Sequence, residues 1–208
     1  MNGYLVPVGP GEAEFTEKRS RFLGHVLPVS SEEEARAHIE RVRKQHYDAR
    51  HNCWCFRLKD SGAERYSDDG EPQGTAGQPM LNVFQREGVW NVCCVVTRYF
   101  GGILLGAGGL VRAYTQSAKD ALDAAGIAQV RRWTAMEVPC PYARFEEVRR
   151  EVARFGGVEE AVDYGAEVLL SVLIPAEGAA AFAAHLLDAS AGTIEVLETG
   201  EVFRAGKA

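Results

Sequence analysis

The sequence predicts an α+β protein of two domains, and three observations lead to this prediction. Apolar patterns in residues 131–208 follow the order strand–helix–strand–strand–helix–strand, which is the ferredoxin-like, or α/β-plait, arrangement. Residues 89–97 form an almost continuous apolar run that predicts a central strand, and a long amphipathic helix follows. The chain has 208 residues, which is enough for two domains with separate cores. We therefore divide it into residues 1–130 and 131–208.

The first domain opens with strands and a helix. Residues 4–29 predict two strands around a charged turn at residues 17–21. Ser31 and Glu34 have the spacing of a capping box, which predicts the start of a helix. Its apolar positions are Ala35, Ile39, Val42 and His46. Residues 51–58 predict a further strand.

A polar loop, "SDDGEPQGTAGQP", and two helices complete the first domain. Either Thr75 with Gln78, or Pro79 as the first helical residue, starts a short helix after this loop. Its apolar side chains are Met80, Leu81 and Phe84. The long helix covers residues 107–125 and ends at Gly126. We expect it to bury Leu110, Tyr114, Ala118, Ala121 and Ala125.

Turn-forming residues bound each element of the second domain. The predicted strands cover residues 133–138, 158–162, 167–174 and 193–203. The predicted helices cover residues 145–155 and 179–186, before Gly156-Gly157 and Gly192.

Charge is divided unevenly between the domains. The chain has a net charge of −6; residues 1–130 carry 15 Lys and Arg against 16 Asp and Glu, and residues 131–208 carry 8 against 13. The net charges are therefore −1 and −5, so any basic groove for a nucleic acid lies in the first domain. The acidic second domain favours contact with a protein partner, or solubility alone. The sequence has no signal peptide and no apolar run of membrane-spanning length, so we expect a cytoplasmic protein without membrane contact.

The five cysteines predict buried thiols rather than disulfides or a metal site. Their number is odd and no export signal accompanies them. His51, Cys53 and Cys55 alternate along a strand, but each step of two residues covers about 6.6 Å. Adjacent ligands of a tetrahedral zinc lie only about 3–4 Å apart, given metal–ligand bonds of about 2.0–2.3 Å. We therefore expect no metal and no cofactor.

The glycine-rich stretch "VVTRYFGGILLGAGGLVRAY" does not match a nucleotide-binding motif. A P-loop requires a lysine after the glycines, and a dinucleotide fingerprint requires a third glycine where Val111 stands. Two interpretations remain open. The glycines permit close packing of the helix on the strand, or the amides at the start of the helix hold an anion.

Five charged residues in two segments also allow two interpretations. Arg98 ends the buried strand, and Arg112 lies near the first turn of the long helix. Asp68, Asp69 and Glu71 are their obvious partners in the chain. The five residues form either an internal ion-pair network or an accessible cleft that keeps positive charge for a ligand.

Four blocks of the sequence resemble those of a known family. The blocks "SDDGEPQGTAGQPML" and "VVTRYFGGILLGAGGLVRAYTQSAKDAL", with "KRSRF" and "ARHNCWCF" before them, are similar to those of the IMPACT family in its bacterial, YigZ-like branch. The resemblance covers residues 15–125, and a ferredoxin-like domain follows, as in that branch. It implies a first domain of the ribosomal-protein-S5 domain-2 type, similar to domain IV of elongation factor G, and a second domain similar to domain V. It assigns no catalytic residues.

The resemblance places the candidate site in the first domain and leaves three functions open. We favour a noncatalytic RNA- or ribosome-associated factor with a role in translation. An enzyme or binder of a small anionic, nucleotide-like ligand at the same cleft is the alternative, and a protein-interaction module acting through residues 131–208 is the third. The candidate residues for binding an anion or a nucleic acid are Lys18, Arg21, His51, Asp68, Asp69, Glu71, Thr75, Arg98, Tyr99, Gly101, Gly102 and Arg112.

Overall fold

The computed structural model of the chain describes residues 3–206 and contains two compact units, residues 4–129 and 130–206. Residues 1–2 and 207–208, at the outer ends of the two predicted domains, lie outside the described residues. The N-terminal unit contains β1 (Tyr4–Pro7), β2 (Gly11–Glu17), β3 (Ser20–Pro28), α1 (Glu32–Gln45), β4 (His51–Arg57), β5 (Glu64–Ser67), α2 (Gly77–Arg86), β6 (Val92–Tyr99) and α3 (Ala107–Ala125). The C-terminal elements are β7 (Ile127–Cys140), α4 (Phe145–Arg154), β8 (Val158–Tyr164), β9 (Val168–Pro175), α5 (Ala179–Ala189) and β10 (Leu197–Gly206).

Five strands of the N-terminal unit form an antiparallel sheet in the order β2-β3-β6-β4-β5. Strand β6 lies at the centre of this sheet, as its apolar run predicted. A strand that is covered on both faces carries apolar side chains on both of them. It begins at Val92 rather than at Val89, since Asn91 adopts a left-handed φ of +53° that interrupts the extended chain.

Helices cover both faces of this sheet. Cys93 and Val95 of β6 pack in one core with α1, whereas Cys94 and Val96 pack in another core with α2 and α3. The alternation of side chains along a strand explains how adjacent cysteines reach opposite cores. The predicted buried faces of α1, α2 and α3 are confirmed, except that His46 lies just beyond the end of α1 as its C-terminal cap.

Two elements of the N-terminal unit differ from the prediction. Residues 4–29 contain three strands rather than two, because the segment between Pro7 and Gly11, which includes Gly9 and Pro10, breaks the extended pattern. Strand β5 was missed, since its sequence "ERYS" has no apolar alternation. It lies at the edge of the sheet, where, in the described chain, β4 is its one neighbour. A strand in this position can carry polar side chains.

The C-terminal unit has the predicted order of strands and helices. In its sheet, β9 pairs antiparallel with both β7 and β8, and β10 pairs with β7. Met136 of β7 and Val172 of β9 pack with Val148 of α4 and Phe182 of α5 in one core. The two-domain α+β fold is thereby confirmed, with a last strand that begins at Leu197 rather than at residue 193.

Candidate functional site

Several loops of the N-terminal unit converge at one end of its sheet. The β2–β3 hairpin turns there, and pairing of Arg21 with Tyr99 brings the end of β6 beside that turn. Strand β4 begins at the same level, because His51 pairs with Arg98. We call this end the tip. It is formed by residues 18–19, 46–50, 68–76 and 100–106, which contain or adjoin the motifs identified in the sequence.

A buried ion pair lies beneath the tip. Arg98 Nη1 donates a hydrogen bond to Glu71 Oε1 at 2.7 Å, and the two side chains are only 7% and 3% exposed. The hydroxyl of Tyr114 donates to the same oxygen at 2.8 Å. Burial raises the pKa of Tyr114, so this hydroxyl keeps its proton. Glu71 therefore neutralises Arg98 inside the protein, as the internal-network interpretation requires for this pair.

Asp68 caps helix α2 from a distance along the chain. Its Oδ1 accepts hydrogen bonds from the amides of Ala76 and Gly77 at 3.0 and 2.8 Å, and its Oδ2 accepts from Gly74 at 2.8 Å. Neither Thr75 nor Pro79 caps this helix, so both predicted starts are wrong. A carboxylate at a helix N-terminus satisfies amides that have no partner within the helix.

Asp69 connects the same loop to β4 and α1. Its Oδ2 accepts from the amide of Asn52 at 2.7 Å, and its Oδ1 accepts from Arg43 Nη2 at 2.9 Å. The backbone carbonyl of Asp69 accepts from His51 Nδ1 at 2.9 Å, so this nitrogen carries the proton of the neutral ring. Asp69 itself adopts a φ of +42°, which lets its side chain and its carbonyl reach different partners.

Three further candidates also hold the loops in place. The hydroxyl of Thr75 donates to the carbonyl of Pro72 at 2.6 Å. The amide of Gly101 donates to Ser20 Oγ at 3.2 Å, and Ser20 is fully buried. Gly102 adopts a φ of +83°, which favours glycine. The hydrogen bond between Gly101 and Ser20 attaches the glycine loop to the β2–β3 hairpin.

Tyr99 lies in a chain of polar contacts on the face of the sheet covered by α1. Its hydroxyl donates to Asp48 Oδ1 at 3.0 Å, so it must accept from His46 Nδ1 at 3.0 Å. His46 Nε2 is then an acceptor, buried and without a partner among the described residues. His25, whose Nδ1 lies 3.3 Å from Glu12, has the same unpartnered Nε2, and the His25 and His46 rings lie 5.4 Å apart.

Burial lowers the pKa of His46 and that of His38. The pKa of His46 lies below its usual value, first because of burial and then because His25 is close. Burial also lowers the pKa of His38 to about 4; its Nδ1 lies 2.7 Å from Arg41 Nη2, and this guanidinium disfavours a second positive charge. His38 is therefore neutral at neutral pH.

Positive charge at the tip surface comes from other residues. Lys18, Arg19 and Arg50 are exposed, and the structure of residues 3–206 gives them no hydrogen bond, ion pair or ring contact. Arg21 is exposed but makes two hydrogen bonds to Glu14, at 2.9 and 3.1 Å. The tip therefore retains cations that no carboxylate of the described chain neutralises.

Arg112 does not join the acidic loop, although both interpretations of the sequence placed it with Asp68, Asp69 and Glu71. It is exposed on α3 and lines a groove of about 350 Å³ between α3 and β2. Glu17 and Asp120 also line this groove, so its two carboxylates outnumber its one guanidinium. Within residues 3–206, Arg98–Glu71 is the one ion pair between two of these five residues, and Asp69 pairs with Arg43 instead.

Apolar side chains lie exposed beside the unpaired cations. Phe100 is 49% exposed, and on the same loop Ile103 and Leu104 are 41% and 82% exposed. Tyr47, at the α1–β4 loop, is 85% exposed. The exposure of these side chains is hard to predict from the sequence, because an apolar residue in a glycine-rich loop is equally compatible with a place in the core. We define the tip surface as Lys18, Arg19, Tyr47, Arg50, Phe100, Ile103 and Leu104.

The cysteines are structural in character. All five are buried, and Cys53 Sγ donates to the carbonyl of Asp68 at 3.0 Å. Burial raises the pKa of Cys53, Cys55, Cys93 and Cys94, which keeps them as thiols. Within residues 3–206, no group of three or more His, Cys, Asp or Glu side chains has the geometry to hold a metal ion.

The fold and the tip together define a class: a two-domain α+β protein with a sheet of five antiparallel strands, an acidic loop anchored by structural hydrogen bonds, and a ferredoxin-like second domain. The sequence of the N-terminal unit matches the Impact N-terminal domain over residues 18–122. Residues 138–193 match a domain of unknown function, DUF1949. The chain belongs to the IMPACT family.

Full-length relatives support this assignment. The chain is 38% identical to the IMPACT family member YigZ of Escherichia coli strain K12, over 97% of this chain and 100% of that protein. It is 33% identical to YvyE of Bacillus subtilis strain 168, over 100% of this chain and 96% of that protein. A crystal structure described as that of a hypothetical protein is 38% identical over 95% of this chain and 98% of its own, with a TM-score of 0.61.

Two other sequence predictions concern membranes and protein partners. Over the described residues, no helix is long and apolar enough to cross a membrane. In the C-terminal unit, Glu159 pairs with Arg149 and Glu160 pairs with Arg204, so part of its acidic charge is already neutralised. A protein contact through residues 131–208 stays a prediction.

Proposed function

We propose that this protein is a noncatalytic RNA-binding factor that associates with the ribosome through the tip surface of its N-terminal unit. One observation carries the proposal: the carboxylates of the tip loop are engaged by the protein, whereas Lys18, Arg19 and Arg50 are exposed and have no partner among residues 3–206. Exposed cations on loops are suited to phosphates of an RNA backbone, which supply much of the affinity in such complexes.

The same observation argues against acid–base catalysis at the tip. A general acid or base needs a carboxyl group that is free to exchange a proton with a substrate. Asp68 accepts three backbone hydrogen bonds, Asp69 binds Arg43 and a backbone amide, and Glu71 is buried on Arg98. The oxygens of each carboxylate are therefore engaged by structural partners.

A small anionic ligand finds weaker support. The groove beside Arg112 has a volume within the range of small-molecule sites. Glu17 and Asp120 give it a net negative charge, however, which opposes an anion. We therefore do not extend the proposal to a phosphorylated metabolite.

The test is co-sedimentation of the purified chain with ribosomes over a series of salt concentrations. The double variant Lys18→Ala/Arg19→Ala should bind about tenfold more weakly or worse at low salt, and its affinity should depend less on salt, because each lost phosphate contact removes a released counterion. Arg98→Ala is unsuitable for this test, since its buried position makes it a folding variant.

Arg86→Ala is the matched control. Arg86 is also exposed and has no partner within residues 3–206, but it lies in the last turn of α2, whereas the tip loop caps the first turn. It should leave ribosome binding and its salt dependence unchanged. Absence of binding by the unaltered chain, or equal losses in the tip variant and the control, would contradict the proposed function.

A further inference from the structure

We propose that the tip surface recognises single-stranded rather than duplex RNA, and that Phe100 stacks on an unpaired base. This inference rests on the proposed function and names the class of RNA that the surface selects. The relevant feature is the placement of a half-exposed aromatic ring beside cations that have no partner in the described chain.

A buried ion pair supports one side of Phe100. The guanidinium carbon of Arg98 lies 5.4 Å from the centroid of the Phe100 ring, and Glu71 fixes this guanidinium from within. Arg98 also lies 5.5 Å from the centroid of the buried Phe22 ring. The Phe100 ring therefore has a rigid, charged support rather than an apolar enclosure, and it remains 49% exposed. A positioned ring loses little conformational freedom when a base stacks on it.

The backbone next to Phe100 lies against the segment that carries Lys18 and Arg19. A Cβ atom at Gly101 would lie 2.0 Å from the carbonyl carbon of Arg19, so the glycine loop is pressed directly against the β2–β3 turn. The hydrogen bond from the Gly101 amide to Ser20 Oγ maintains this contact. As a result, Lys18 and Arg19 project from a segment in backbone contact with the residue after Phe100. A ring and cations held side by side match the alternation of base and phosphate along a strand.

The exposed apolar side chains distinguish single-stranded from duplex RNA. Ile103 and Leu104 continue the exposed loop after Phe100. The bases of a duplex are stacked on one another and offer a side chain no free face, so a duplex would contact only the cations. The bases of a single strand offer their faces to aromatic and apolar side chains, and this contact adds to the phosphate contacts.

The test compares fluorescently labelled 12-nucleotide oligo(U) and oligo(A) with a duplex of the two strands, by fluorescence anisotropy with the full chain. The single strands should bind about tenfold more tightly than the duplex. Phe100→Leu keeps an apolar side chain but removes the ring, and it should reduce this preference about tenfold. Phe100→Tyr, which keeps the ring, should retain the preference. Thermal unfolding of each variant tests whether the loop remains folded.

The outcomes separate this inference from the proposed function. Equal affinity for single strands and duplex, or a preference that Phe100→Leu leaves intact, overturns the stacking role while the ribosome-binding proposal stands. Weaker binding to both forms in Lys18→Ala/Arg19→Ala, with the preference for single strands kept in that variant and lost in Phe100→Leu, supports both proposals. Absence of RNA binding by the unaltered chain overturns both and leaves the apolar loop as a protein contact.

Discussion

Arg98 and Glu71, 27 positions apart in the chain, form an ion pair at 2.7 Å with both side chains almost fully buried. Each charge has lost its hydration and depends on the other for compensation. The pair joins the end of the central strand to the loop that caps α2, and Tyr114 of α3 donates to the same carboxylate oxygen. Three elements of the N-terminal unit therefore meet at one carboxyl group.

We expect Glu71→Gln to lower the free energy of unfolding by about 3–5 kcal/mol, because it leaves the Arg98 guanidinium buried without a counterion. Urea unfolding monitored by circular dichroism measures the loss. The double variant Arg98→Met/Glu71→Met is the control, since removal of both charges should be less damaging than removal of one. A loss in Glu71→Gln no larger than that of an exposed pair such as Arg36–Glu32 would contradict this account.

Asp68 provides a second prediction, because its carboxylate caps α2. Asp68→Ala should cost about 1–2 kcal/mol of stability and should accelerate amide hydrogen exchange at Ala76 and Gly77, which lose their acceptor. Asp60→Ala is a matched control, because Asp60 is an exposed aspartate with no hydrogen bond or ion pair in the part of the chain that the structure describes. If exchange at Ala76 and Gly77 does not change, the cap does not hold the helix in solution.

The elements with a buried face could be predicted from the sequence. A continuous apolar run was sufficient to predict the central strand, and a periodic pattern predicted α3 from Ala107 to Ala125. Such patterns are local. They arise because burial of one or both faces of an element requires apolar residues at regular positions. The polar edge strand β5 has no such face, so its sequence does not reveal it.

The site was predicted less completely because its contacts are not local. Asp68 caps α2 through amides eight and nine positions further on, a distance at which no capping motif is defined. The sequence offered Asp68, Asp69 and Glu71 as partners of Arg98 and Arg112. Only the folded chain shows that Glu71 is the partner of Arg98 and that Arg112 lines a different groove. The unpaired cations at the tip likewise become recognisable only after the paired ones are known.

The contact between the glycine loop and the β2–β3 turn leads to a third prediction. Gly101→Ala places a Cβ atom 2.0 Å from the Arg19 carbonyl carbon, a backbone atom that cannot move alone, so we expect a loss of about 1–3 kcal/mol in the free energy of unfolding. Gly9→Ala is the control, because no atom lies within 4 Å of the added Cβ there. Its stability should change by less than about 1 kcal/mol. Equal behaviour of the two variants would show that the two loops are not in contact.

The buried histidines predict that acid destabilises the protein between about pH 6.5 and pH 4. The folded protein lowers the pKa of His38 to about 4, mainly through burial, while the unfolded chain has the ordinary value of about 6.5. Above pH 6.5 both states leave this ring neutral, and its contribution to stability is complete. As the pH falls from 6.5 to 4, only the unfolded state binds the proton, so stability decreases by up to about 1.4 kcal/mol per pH unit. His46 acts in the same direction, because its pKa is also lowered.

His38→Phe tests this effect, because phenylalanine fills the buried position without a group that titrates. Its midpoint of urea unfolding should fall less steeply with pH between 6.5 and 4 than that of the unaltered chain. His185→Gln is the control, since His185 is partly exposed beside Glu151 and its removal should leave the steep part of the slope in place. A slope that His38→Phe does not reduce would mean that the ring is protonated in the folded protein, with Arg41 displaced from the Nδ1 atom that it now contacts at 2.7 Å.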